Sequence, residues 1–248
     1  MIRFENVCFG YGSRRILNEM SFFIGNDEKI AVLGGSGEGK TTILKLIVGL
    51  IRPDSGIVFV DGEDITVKSE EELNEVRRKF SIVFQQGALF DSLSVKENVG
   101  FCLREYTEMS EDEVEAKVRE LLRLVDVEPA IYLMPDELSG GMHRRVAIAR
   151  SLAVATPKMM LYDEATAGLD PVNSDNICKL IVALSNNGMG HIMVTHKVVD
   201  AMKVAERFIF LEGGKVVFDG DADALMRSEH PPIKVFVDEL RYQPAARR

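Results

Sequence analysis

Gly34 to Thr41 reads GGSGEGKT, which satisfies the spacing G-x-x-x-x-G-K-S/T. An apolar run, KIAVL, leads in, and a helical apolar run, ILKLIVGLI, leads out. In that context the chemistry is phosphate binding. Glycines let backbone N–H groups turn toward β- and γ-phosphate oxygens, and the helix N-terminus adds positive potential. Lys40 sets a point charge on the same phosphates, and the Thr41 hydroxyl can ligate Mg2+. Such a loop needs a further metal support, an acid at the end of another strand. Asp163 follows the apolar run MMLY and fits that need. Glu164 beside it is placed to polarise an attacking water as general base, a role worth about 10²–10⁴ in rate. Taken alone, the acid pair reads as a solvated turn; the upstream loop changes its meaning.

The elements that must position these residues follow from patterning. IRFENVCFGY and MSFFIG read as strands, KIAVL as a short strand, RPDSG as a turn and IVFVDG as the next strand. A charged helical stretch around Glu70 to Lys79 precedes FSIVF, a buried strand. From about Asp91 to Val154 the pattern is helical. Ser110 with Glu113 forms a capping box, and Val114, Val118, Leu121, Leu122 and Val125 line one helix face. KMMLY and HIMVT are short strands separated by the helical DNICKLIVALSNNG. RFIFLEGGKVVFDG is a hairpin with a Gly-Gly turn, and DADALMRSEH is a short helix. Pro231 to Arg248 is a short tail ending in basic ARR. This alternation predicts a mostly parallel core sheet interrupted by a helical insertion.

At 248 residues the chain suits one α/β domain, with or without an inserted subdomain. Its composition, 46% hydrophobic and 28% charged, is that of a globular protein. A net charge of −9 argues against nucleic acid as a partner but leaves room for a local phosphate pocket. Cys8, Cys102 and Cys178 lie far apart, which fits free thiols in a reducing compartment. MIRFENVCFGYG lacks the layout of a secretion signal, and no apolar run nears the roughly 18–20 residues needed to span a bilayer. The expectation is a cytoplasmic protein whose membrane role comes through a partner.

LSGGMHRRVAIARSLA, Leu138 to Ala153, resembles the signature motif of ATP-binding cassette (ABC) ATPases, and the family's other motifs stand in order along nearly the whole chain. The resemblance implies an α/β fold: a P-loop NTPase (RecA-like) core, an N-terminal antiparallel β-subdomain and an inserted α-helical subdomain. The ATPase domain would span 1–228, with the helical insertion roughly at 91–154 and a C-terminal tail at 229–248. It implies ATP and Mg2+ as cofactors. Tyr11 matches the aromatic that stacks on adenine. Gly34, Gly35, Ser36, Gly37, Glu38, Gly39, Lys40, Thr41 and Thr42 match the Walker A loop. Gln85, chosen over Gln86 because it directly follows IVF, matches the Q-loop glutamine, a catalytic residue and metal ligand. Asp163 and Glu164 match Walker B and its catalytic glutamate. Ala167 to Asp170 match the D-loop, and His196 the switch histidine. Ser139, Gly140 and Gly141 match the signature core, and SGG before a helical run offers a second cradle of free amides. One ATP needs one cradle, so two suggest a shared site. In the family, copies dock head to tail as a homodimer, so Ser139 would act in trans without an arginine finger. His143, His191 and His230 read as surface or local hydrogen-bonding residues, and HRR at 143–145 as a solvated helix face.

The stretch SEEELNEVRRKFSIVFQQGALFDSLSVKENV is similar to ATPases of Mce-type lipid transport systems, including the Mla phospholipid pathway. GALFDSL, Met142 and LMPDELSGGM share that likeness. The branch implies transmembrane permease subunits docking at the Q-loop region and helical subdomain. It also implies a small STAS-like subunit, an Mce-domain lipid-binding protein and a tail that can reach the partner protomer. The expected site is the cytoplasmic face of the inner membrane. Alternatives are an ATPase for another substrate such as an amino acid, a soluble ABC ATPase without a permease, and a non-hydrolysing module. Two positions depart from the pattern: Ala165 stands where most relatives have proline, and Lys197 where many have aspartate. Alanine is expected to loosen the backbone at Glu164 at a cost of about 0.4–1 kcal/mol. Ala165→Pro is expected to alter turnover less than about tenfold, because no catalytic group changes. Lys197 affects only a contact behind the site.

Overall fold

The computed structural model describes residues 1–153, 157–185 and 188–241. Strands β1 (Ile2–Tyr11) and β2 (Arg14–Ile24) pair antiparallel, with Tyr11 opposite Arg14 at the turn. β3 (Lys29–Gly34) enters the phosphate-loop sequence and α1 (Lys40–Ile47) leaves it. β4 (Ser55–Val60) and β5 (Glu63–Asp64) complete a four-stranded antiparallel sheet of order β2-β1-β4-β5. Helix α2 (Glu70–Arg77) then precedes β6 (Phe80–Val83).

The helical insertion contains α3 (Val95–Tyr106), α4 (Glu111–Leu124) and α5 (Gly140–Leu152). Both halves of the Ser110–Glu113 capping box form, satisfying two amides at the start of α4. Val114, Val118, Leu121, Leu122 and Val125 are buried in one cluster with Val99 of α3 and Val146 of α5. That shared apolar face holds the three helices together. The far boundary expected at Val154 lies outside the described residues.

β7 (Met159–Asp163), α6 (Pro171–Ser185), β8 (Gly190–Thr195), α7 (Val198–Val204), β9 (Arg207–Glu212) and β10 (Lys215–Gly220) build the rest of the core. The second sheet has order β10-β9-β3-β8-β7-β6, parallel except for the β9–β10 hairpin. β7 and β8 are buried along their whole length, which explains why they read as continuous apolar runs. Leu33 pairs with Thr195, and Asp163 with Val194, so β3, β7 and β8 end together. Ligands bind in the crevice beyond such carboxyl ends.

α8 (Ala222–Met226) and α9 (Pro231–Arg241) follow. Residues 231–241 of the expected C-terminal tail thus form a helix. Ile233 and Val237 are buried, and the Phe236 ring meets Phe210 edge-on at 5.0 Å. Apolar residues at 233, 236, 237 and 240 make a helical stripe that docks on the core. The terminal ARR lies outside the described residues. Of the two roles expected for His191 of β8, the local hydrogen bond holds: it is fully buried, with Nδ1 2.7 Å from Ser185 Oγ. The described cysteines are free thiols, and among the described residues no helix is long and apolar enough to cross a membrane.

Candidate active site

The loop between β3 and α1 closes on itself through its lysine. Lys40 is buried, and its ammonium donates to the Gly34 carbonyl at 2.9 Å and the Gly35 carbonyl at 2.8 Å. Two of its three donors are thus committed to the loop. Burial lowers the lysine pKa, while Glu164, Asp163 and Glu38 oppose that shift. Gly39, which starts α1, has φ 95°, and a Cβ there would meet Leu17 Cδ2 at 2.5 Å. Only glycine takes that left-handed turn against a buried side chain without strain.

At the end of β7, Asp163 Oδ1 accepts a hydrogen bond from Thr41 Oγ1 at 2.8 Å. Burial raises the Asp163 pKa and Glu164 adds to the shift, whereas the Thr41 hydrogen bond opposes it. Mg2+ takes octahedral oxygen ligands at about 2.0–2.1 Å, so two adjacent ligands lie about 2.9 Å apart. The Thr41–Asp163 pair fits that edge.

Glu164 is buried and left-handed at φ 51°. Its N–H donates to the Val194 carbonyl at 2.9 Å, and its carbonyl accepts from Ala167 N–H at 2.9 Å. One carboxylate oxygen lies 2.9 Å from His196 Nδ1; the other accepts from the Thr195 hydroxyl at 3.2 Å. The two residues, read separately from sequence, form one unit because Asp163 and Val194 share a register position. A carboxylate held at both oxygens is aimed, which general-base catalysis requires.

A cavity of about 450 Å³ joins Lys40, Thr41, Glu164 and His196, with Asp163 behind its wall, bonded to Thr41. Its wall includes Tyr11, Ser36, Gly37, Gly39, Lys40, Thr41, Thr42, Gln85, Glu164 and His196. Gln85 lines it and Gln86 does not. Arg14 also lines it and was missed. Its position opposite Tyr11 across the first hairpin is the signal that could have found it.

Other expected residues lie apart. Glu38 turns away, accepting from Gly214 N–H at 3.4 Å. Ser139, Gly140 and Gly141 sit at the N-terminus of α5, outside the cavity wall, with Ser139 Oγ accepting from Met142 N–H at 3.3 Å. Asp170 does not reach the cavity either. It caps α6, accepting from the N–H groups of Val172 at 3.0 Å and Asn173 at 3.1 Å. The Asn173 side chain holds its carboxyl below the usual range. HRR is not a solvated face: Arg144 is buried, and its guanidinium donates to the carbonyls of Phe84 (3.1 Å) and Gln85.

A family model described as "ABC transporter" matches residues 17–167. The chain is similar to the intermembrane phospholipid transport system ATP-binding protein MlaF of Escherichia coli K12. The two are 36% identical over 98% of this chain and 91% of that protein. It is similar also to the glutamine transport ATP-binding protein GlnQ of the same organism, at 39% over 98% and 99%. Among solved structures it resembles the dimeric ATP-binding cassette MJ0796 bound to ADP and Pi. The TM-score is 0.81 and the identity 32%, over 89% of this chain and 98% of that one.

Proposed function

This chain belongs to the ABC transporter family and is an ATP-hydrolysing subunit of a transporter; from that premise we propose that Glu164 activates the attacking water and that the energy moves phospholipid through a separate permease. The observation that carries the reading is the convergence of Lys40, the Thr41–Asp163 pair and the Glu164–His196 pair around one cavity. In this proposal the loop from Gly34 to Thr42 holds the ATP phosphates, with Lys40 as point charge, and Tyr11 stacks on adenine. Glu164 takes the proton of the water while His196 and Thr195 keep its carboxylate aimed. Thr41, Asp163 and Gln85 would hold Mg2+, which supplies charge neutralisation on the phosphates when bound. Ser139 stands outside its own cavity with the exposed N-terminus of α5 beside it, which supports a head-to-tail homodimer in which it serves the partner's ATP.

The phospholipid reading draws on the full-length likeness to MlaF and on GALFDSL, Met142 and LMPDELSGGM. A groove of about 350 Å³ lined by Leu50, Phe84, Ala88, Cys102 and Arg150 is the proposed seat of the permease, on the cytoplasmic face of the membrane. A STAS-like subunit and an Mce-domain protein complete the proposed assembly. The likeness to GlnQ favours a second reading, an amino-acid importer with the same ATP chemistry. Affinity purification from native membranes, with mass spectrometry of bound proteins and lipids, separates them. Recovery of an Mce-domain protein and phospholipid is expected; recovery of an amino-acid permease without them would favour the second reading.

A further inference from the structure

Ala165 and Lys197, the two departures from the family pattern, meet at one point in the fold. Ala165 gives the backbone after Glu164 no ring to fix it, and the Thr166 hydroxyl is buried without a hydrogen-bond partner. Cations hold this segment instead. Lys197, next to His196, donates from Nζ to the Thr166 carbonyl at 2.8 Å; its nearest acid, Asp200, is 3.9 Å away. Arg144 reaches the next carbonyl, Ala167, at 3.5 Å from Nη2, while its Nη1 serves Phe84 and Gln85. Among the described residues Arg144 has no ion pair, so loop carbonyls carry its buried charge.

We infer that Lys197 is a positioning residue of the hydrolysis site: its ammonium fixes Thr166, and so fixes the backbone from which Glu164 aims its carboxylate. Arg144 holds the adjoining residue and ties the same segment to the Gln85 loop. The lysine therefore restrains from the side a left-handed backbone at Glu164 that no ring within the chain fixes. A carboxylate at 197 cannot do this, because a carbonyl needs a donor. The inference rests on the assignment of Glu164 as general base.

The test is steady-state phosphate release by Lys197→Met, Lys197→Arg and Glu164→Gln, with thermal melting of each. Lys197 is partly exposed, so methionine keeps the stem and removes only the donor. Small misplacements of a catalytic group cost up to about 100-fold, so Lys197→Met is expected to lower kcat about tenfold. KM for ATP should stay within about twofold, since Lys197 does not line the cavity. Lys197→Arg should restore most of the rate. A normal kcat in Lys197→Met, beside an inactive Glu164→Gln, would overturn this inference alone. So would a kcat loss that tracks melting temperature and is not restored by arginine. Normal turnover in Glu164→Gln would overturn the base assignment and this inference with it.

Discussion

Ala165→Pro sets three effects against one another. Proline restricts the unfolded chain, which stabilises by about 0.4–1 kcal/mol where the native backbone is compatible. The native backbone is not compatible here. Glu164 has φ 51°, and a following proline pushes its predecessor toward extended angles. Holding Glu164 left-handed against that bias costs about 1–3 kcal/mol. Ala165 is also fully buried, and added ring carbons in a closed core cost about 1–3 kcal/mol. The opposing effects win, so Ala165→Pro should lose about 2–4 kcal/mol in total. For a domain of this size that lowers the melting temperature by about 4–16 °C. If Glu164 escapes the strain by extending, its carboxylate leaves Thr195 and His196, and kcat falls more than about tenfold. The sequence alone had suggested a smaller effect on turnover, because no catalytic group is replaced. Urea unfolding and phosphate release at saturating ATP decide the matter. Unchanged or increased stability with turnover within tenfold of the parent would refute this reasoning.

Gly39→Ala should lose about 2–4 kcal/mol, from left-handed strain and overpacking against Leu17, and should raise KM for ATP; denaturation and kinetics read both. His191 carries a pH prediction. Burial first, with Lys29 adding, pushes its pKa from the ordinary value near 6.5 down to about 4. The folded protein keeps it neutral while the unfolded chain binds a proton below 6.5, so stability is full above that pH and falls toward pH 4. Between pH 7 and 4.5 this contributes a loss of about 2 kcal/mol, and His191→Asn should flatten that part of the curve. An equal slope in the variant would contradict the assignment.

Local spacing made the phosphate loop legible: Gly34 to Thr41 declares its turn, its lysine and its helix start within a few residues. The Ser110–Glu113 cap and the period-2 and period-3.6 patterns were legible for the same reason. Contacts set by register were not. Glu164 and His196 meet because β7 and β8 end level, which nothing within either segment encodes. The sign of φ at Glu164 depends on its bonds to Val194 and Ala167, and so stayed hidden. Arg144 looked solvated beside Arg145, yet α5 lies against the segments on either side of it and takes the arginine inward. The α9 stripe is present in the sequence as Ile233, Phe236, Val237 and Leu240, but the surface that it docks on is built by distant segments. Asp170 before Pro171 is a helix cap legible in the sequence.

Glu164→Gln tests the central claim most directly. The amide keeps the shape and a hydrogen bond to its neighbours but cannot take a proton from water. With ATP and Mg2+, phosphate release should fall by at least about 100-fold while a stable ATP-bound dimer accumulates on size-exclusion chromatography. Near-normal phosphate release, with no trapped dimer, would contradict the account.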